Sequence, residues 1–176
     1  SMLTAFQISL LIAEVYAQFT VVASPEITLE ANPDDLSPAY LQALKDAGIN
    51  RLSIGIQSFH DKELTLMNRV HNGKQAVQAV IWAQELFENI SIDLLFGTPH
   101  TTFADWQENL ETALKLDVPH ISSYALTLEP KTALEHFVSK GIVSLLDDAA
   151  VEAQFLHLVD SLTQAGYEHY ELSSFC

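Results

Sequence analysis

Strand-length runs alternate one by one with helical stretches along nearly the whole chain, and that order admits few folds. Residues 27–31, 51–57, 90–96, 120–128 and 167–173 read as strands. Helical periodicity covers about 4–19, 37–48, 61–68, 74–88, 103–114, 132–139 and 148–165. The punctuation agrees: Ser37 stands as an N-cap before Pro38, Thr102 and Asp105 make a capping-box pattern, and Gly48 and Gly166 supply C-terminal stops. Strands separated by single helices call for a parallel sheet or barrel with right-handed crossovers. In the opening helix Phe6, Leu10, Ala13 and Ala17 recur at helical spacing, and the stretch from Leu10 to Val15 is expected to face the core.

Alternate strand residues point to opposite faces, so each strand divides into two classes. One class is aliphatic: Ile27 and Leu29, Leu52, Ile54 and Ile56, Ile92 and Leu94. The other is small or polar: Thr28, Glu30 and Asn32; Ser53, Gly55 and Gln57; Ser91 and Asp93; Ser123, Ala125 and Thr127. A closed (β/α) barrel ordinarily fills its interior with bulky branched side chains. Small and polar groups on four strands instead predict a cavity that holds a ligand. Burying Glu30 or Asp93 without a partner would cost several kcal/mol, roughly, so donors from a ligand, a cation or water are required. In parallel α/β architectures such ligands sit at the C-terminal ends of the strands.

Composition narrows the function classes. A net charge of -15, from 23 acidic and 8 basic residues, disfavours a nucleic-acid partner, because phosphate binding depends on Lys and Arg. The single cysteine, Cys176, excludes an internal disulfide framework and a multi-thiolate metal site within the chain, and suits an intracellular, cytoplasmic protein. No window reaches the roughly 18 to 20 uninterrupted apolar residues of a membrane-spanning helix. The seven histidines show no metal-ligand spacing, so no metal site is assigned. Ser1 and Met2 fit either native sequence or an expression scar. With 48% hydrophobic residues, residues 1–176 are expected to form a single domain.

Six segments carry a resemblance. Ile27-Thr-Leu-Glu-Ala-Asn-Pro33, Arg51-Leu-Ser-Ile-Gly-Ile-Gln-Ser-Phe59 and Ile92-Asp-Leu-Leu-Phe-Gly-Thr-Pro99 are similar to consecutive strands of the oxygen-independent coproporphyrinogen III oxidase-like family, within the radical S-adenosylmethionine (SAM) superfamily. Arg69-Val-His71, Tyr124-Ala-Leu-Thr-Leu-Glu-Pro130 and Tyr170-Glu-Leu-Ser-Ser-Phe175 extend it in order. The resemblance implies a partial, TIM-like (β/α) barrel, here truncated to about four core parallel strands with surrounding helices and an additional C-terminal strand. It implies SAM and a four-iron four-sulfur cluster that cleaves SAM to a 5'-deoxyadenosyl radical. The positions matching SAM-contacting residues are Glu30, Gln57, Arg69, Asp93 and Ala125, of which Arg69 equally suits a helix cap or a surface ion pair.

The chain departs from that family in lacking the C-x-x-x-C-x-x-C cluster motif and the Gly-Gly-Thr-Pro segment, both expected upstream of Ser1. The chain alone is therefore expected to be inactive, with exposed barrel edges that invite a homodimer. His100 replaces a glycine common in one family turn. Ala125-Leu-Thr-Leu-Glu-Pro130 followed by Lys131-Thr132 resembles the heme-chaperone branch more than the oxidases. That branch implies heme or a porphyrin as ligand, with heme-receiving proteins and an electron donor as partners. A genuine coproporphyrinogen III oxidase and a non-enzymatic α/β small-molecule-binding module stay open as alternatives.

Overall fold

The structure, a computed structural model, describes residues 3–176; Ser1 and Met2, and with them the question of a native start, lie outside these residues. Helix α1 (Ala5–Gln18) precedes strand β1 (Thr28–Ala31), and a 3-10 turn at Pro33–Asp35 leads into α2 (Pro38–Asp46). Strand β2 (Arg51–Gln57) is followed by α3 (Asp61–Leu66) and α4 (Gly73–Gln84), then β3 (Asn89–Phe96), α5 (Phe103–Lys115) and β4 (His120–Ala125). After α6 (Ala133–Ser139) and α7 (Asp148–Gln164) come two short strands, β5 (His169–Glu171) and β6 (Ser174–Phe175). The six strands form one sheet in the order β1-β2-β3-β4-β6-β5, with β1 to β4 mutually parallel. This is the α/β, mostly parallel architecture that the alternating pattern predicts.

The caps act as local chemistry dictates. Ser37 Oγ accepts from Tyr40 N, and Thr102 and Asp105 form the expected reciprocal capping box. The core lies on one face of the sheet: Leu52, Ile54, Ile92 and Leu94 are fully buried against Leu41 and Leu44 of α2, Ala79 and Val80 of α4, Trp106 and Leu110 of α5, and Leu158 of α7. Trp106 Nε1 donates to the Gln154 carbonyl, fastening α5 to α7. Among the described residues the opposite face carries no helix layer. Parallel sheets are ordinarily covered on both faces, so this bare surface is the one that demands explanation.

Three expectations need correction. The stripe of Phe6, Leu10, Ala13 and Ala17 does not face the core: Phe6 is 70% and Leu10 54% exposed, while Ala5, Ile8 and Ile12 pack inward. Helix α1 is apolar around most of its circumference, so spacing alone left the buried side undecided. The second correction concerns β4, whose Ser122, not Ser123, lies beside Asp93; Ser123 and Ala125 pair in register with Leu94 and Phe96 on the helix side. Ile121, fully buried, shares their parity and sets the orientation, while the Ser123 hydroxyl is buried without a hydrogen-bond partner. Third, the expected strand at 167–173 is a hairpin, and β6 runs antiparallel to β4. The Glu171 carboxylate accepts from Ser173 N and from the Ser173 and Ser174 hydroxyls, closing the turn between the two short strands.

Candidate functional site

The uncovered face holds a cavity of about 300 Å³, at the lower end of the roughly 300–1,000 Å³ typical of small-molecule sites. Glu30 comes from β1 and Asn32 from the position just after it, Ser53, Gly55 and Gln57 from β2, and Asp93 from β3; Arg69 reaches in from the loop after α3. Four of the five sequence-predicted residues thus converge. Ala125 is not among them. It lines a separate depression with Phe96, Val151 and Phe155, as its register on β4 requires.

Local backbone geometry explains how the side chains reach the cavity. The register between β2 and β3 slips between Ile54 and Gln57, a bulge that re-aims the strand end. Gln57 takes φ 70°, in the left-handed region that side chains other than glycine's rarely adopt. Its carboxamide lies over Gly55, where an added Cβ would stand 3.1 Å from Gln57 Nε2 and 3.6 Å from Asn32 Oδ1. Asn32 Oδ1 accepts from Arg69 Nη1 at 2.9 Å, which holds the guanidinium over the cavity. His71, in the same segment, is buried between Asp34 and the Ile56 carbonyl and anchors that loop.

The cavity contains two carboxylates and one guanidinium. Glu30 is exposed at the open side of the sheet, so the burial expected for it does not occur. Asp93 is half-buried, and burial raises its carboxyl above the ordinary carboxylate range. The Ser53 hydroxyl, donating at 3.4 Å, opposes the rise, the charge of Glu30 adds to it, and Arg51 and Arg69 oppose it. A carboxylate held this way is a ready acceptor for hydroxyl or cationic donors. Toward β4 the same face carries a fixed network: His120 bonds Ser91 Oγ through Nδ1 at 2.7 Å and the Tyr170 hydroxyl through Nε2 at 2.7 Å. Burial lowers the His120 pKa, so a neutral ring links the sheet to the C-terminal hairpin.

Sequence reasoning put Asn32, Ser53 and Gly55 in the polar strand class without assigning them to the site. Their i±2 spacing from Glu30, Gln57 and each other was the signal that could have found them. His100 holds a left-handed backbone, at φ 65°, a conformation that glycine adopts more readily than residues with a side chain.

Residues 7–120 match the radical SAM superfamily. The heme chaperone HemW of Bacillus subtilis is 43% identical over 152 residues, covering 85% of this chain and 40% of the relative. The heme chaperone HemW of Haemophilus influenzae is 37% identical over 176 residues, 99% of this chain and 45% of the relative. Among solved structures, coproporphyrinogen III oxidase (HemN) from Escherichia coli, a radical SAM enzyme, superposes with a TM-score of 0.85 at 25% identity, covering 99% of this chain and 40% of that one. The chain spans less than half the length of these proteins.

Proposed function

The chain belongs to the radical SAM superfamily, and from that premise we propose that it forms the SAM-binding part of a HemW-like heme chaperone barrel. Members of this superfamily use SAM and a four-iron four-sulfur cluster. The observation that carries the site assignment is the meeting of Glu30, Gln57, Arg69 and Asp93 in one cavity on the uncovered face. Its donor set suits SAM: carboxylates accept from ribose hydroxyls and an ammonium group, and a guanidinium pairs with a carboxylate. Ala125, at the end of β4, is retained only as a backbone contact, since its side chain faces the helices.

The cluster does not fit the residues present. Among the described residues no group of three or more His, Cys, Asp or Glu side chains is arranged to hold a metal ion, and Cys176 is exposed beside Asp117 and Tyr167, away from the cavity. The cluster ligands therefore belong to another segment of the working protein, and residues 1–176 act as one part of its barrel. The same reading puts the protein in the cytoplasm, with heme or a porphyrin as ligand and heme-receiving proteins and an electron donor as partners. Self-association would use the exposed barrel edges, which among the described residues are β1 and β5. Among the described residues no helix is long and apolar enough to cross a membrane.

The test uses the parent polypeptide that carries cluster ligands, reconstituted anaerobically with iron and sulfide and supplied with SAM, a reductant and either coproporphyrinogen III or heme. The expected result is binding of SAM and heme with no protoporphyrinogen formed. Protoporphyrinogen as product would assign the oxidase activity instead, and absence of SAM binding would remove the site assignment.

A further inference from the structure

We infer that Asn109, a residue of α5 outside the cavity, is a positioning residue that sets the aim of Gln57 into it. The inference rests on the ligand-site reading above. Gln57 is the last residue of β2, stands immediately after a register slip, and holds a left-handed backbone without being glycine. Such a conformation persists only where the surroundings over-determine it. Gln57 keeps a ladder pairing with Leu94, and the two residues that follow it are tied to α5 from outside the sheet.

Ser58 and Asn109 are both 0% exposed. Asn109 Oδ1 accepts from Phe59 N at 2.7 Å and from Ser58 Oγ at 3.2 Å, while its Nδ2 donates back to Ser58 Oγ at 3.2 Å. Ser58 Oγ also accepts from His60 N at 3.0 Å, so one buried carboxamide and one hydroxyl take up two successive backbone N–H groups, those of Phe59 and His60. Asn109 lies 50 residues from Phe59 in sequence and reaches the turn from the helix layer. Leucine has nearly the volume of asparagine but offers no acceptor, so it would leave the Phe59 N–H buried and unpaired and release the turn. The Gln57 carboxamide, now lying over Gly55 toward Asn32, would lose its fixed direction.

The experiment is a double-mutant cycle on the parent polypeptide, with the SAM dissociation constant measured by calorimetry and folding checked by circular dichroism and thermal melting. Gln57→Ala is expected to weaken SAM binding about tenfold, and Asn109→Leu by a similar factor in folded protein. The double variant should bind no more weakly than Gln57→Ala alone, because the clamp has nothing left to aim. Asn109→Asp retains the acceptor for Phe59 N and should recover most of the affinity. Should Asn109→Leu fail to fold, Ser58→Ala takes its place in the cycle with the same expected coupling to Gln57. A folded clamp variant with wild-type affinity, or losses that multiply in the double variant, would overturn the inference while leaving the site intact. Wild-type affinity in Gln57→Ala would overturn it differently, by removing Gln57 from the site.

Discussion

The two faces of the central sheet are built from the same strands and do opposite work. On the helix side, Leu52, Ile54, Ile92 and Leu94 are sealed from solvent and their neighbours are apolar. On the uncovered side, residues one step away in sequence include an exposed carboxylate, a half-buried carboxylate and a strand end in a strained conformation. The first face contributes most of the folding stability through area removed from water. The second gives some of it back by holding charged and polar groups around a cavity, the proposed SAM site. Adjacent residues such as Ile92 and Asp93 should therefore respond to substitution in different assays.

The largest effect on stability is expected for Ile92→Ala, which should lose about 2–5 kcal/mol in denaturant unfolding because it leaves a cavity in the sealed layer. A loss below about 1 kcal/mol would show that the layer relaxes and that the contrast between the faces is overdrawn. Asp93→Asn should reverse the pattern, weakening SAM binding by about tenfold or more with no loss of stability at neutral pH. Because burial raises this carboxyl above 3.8, the folded chain holds the proton more tightly than the unfolded chain. Stability therefore falls as pH rises through the folded pKa, and the deficit persists at neutral pH. Relative to the wild type, Asp93→Asn should melt higher at neutral pH, and the advantage should disappear as pH falls toward 3.8 and below. A pH-independent difference would place the variant's effect outside this titration.

Gly55→Ala sharpens the comparison within the polar face. Its added methyl crowds the Gln57 carboxamide, so SAM affinity should fall roughly three- to tenfold while melting changes little. Unchanged affinity would mean that Gln57 moves aside without cost. The smallest effect belongs to His100→Gly, in the loop between β3 and α5. Relief of the left-handed backbone at φ 65° is partly cancelled by the unfolded-state entropy of glycine, leaving a gain under about 1 kcal/mol in unfolding experiments.

Much of this was legible in order and spacing. The span of β2, the Ser37 cap and the Thr102 capping box follow from patterns contained in a few consecutive residues. The polar class on β1 to β3 followed from alternation, and it led to the cavity. The same reasoning failed on β4, where small residues were grouped by polarity although Ile121 already fixed their parity. Nothing local identifies Asn109 as the partner of a turn 50 residues away, and nothing in the periodicity of α1 separates its packed side from its exposed one.

The amino-acid sequence by itself determined which segments become strands and helices, and on three strands which residues share a face, because backbone sterics and side-chain alternation act over a few residues. Only the tertiary structure decided which side of α1 is buried, that the C-terminal segment turns back antiparallel to β4, that Gln57 is bent into the cavity, and that Ala125 is turned away from it. Those outcomes depend on register and on hydrogen bonds between residues far apart along the chain, where competing local arrangements are nearly equal in energy and long-range packing selects one.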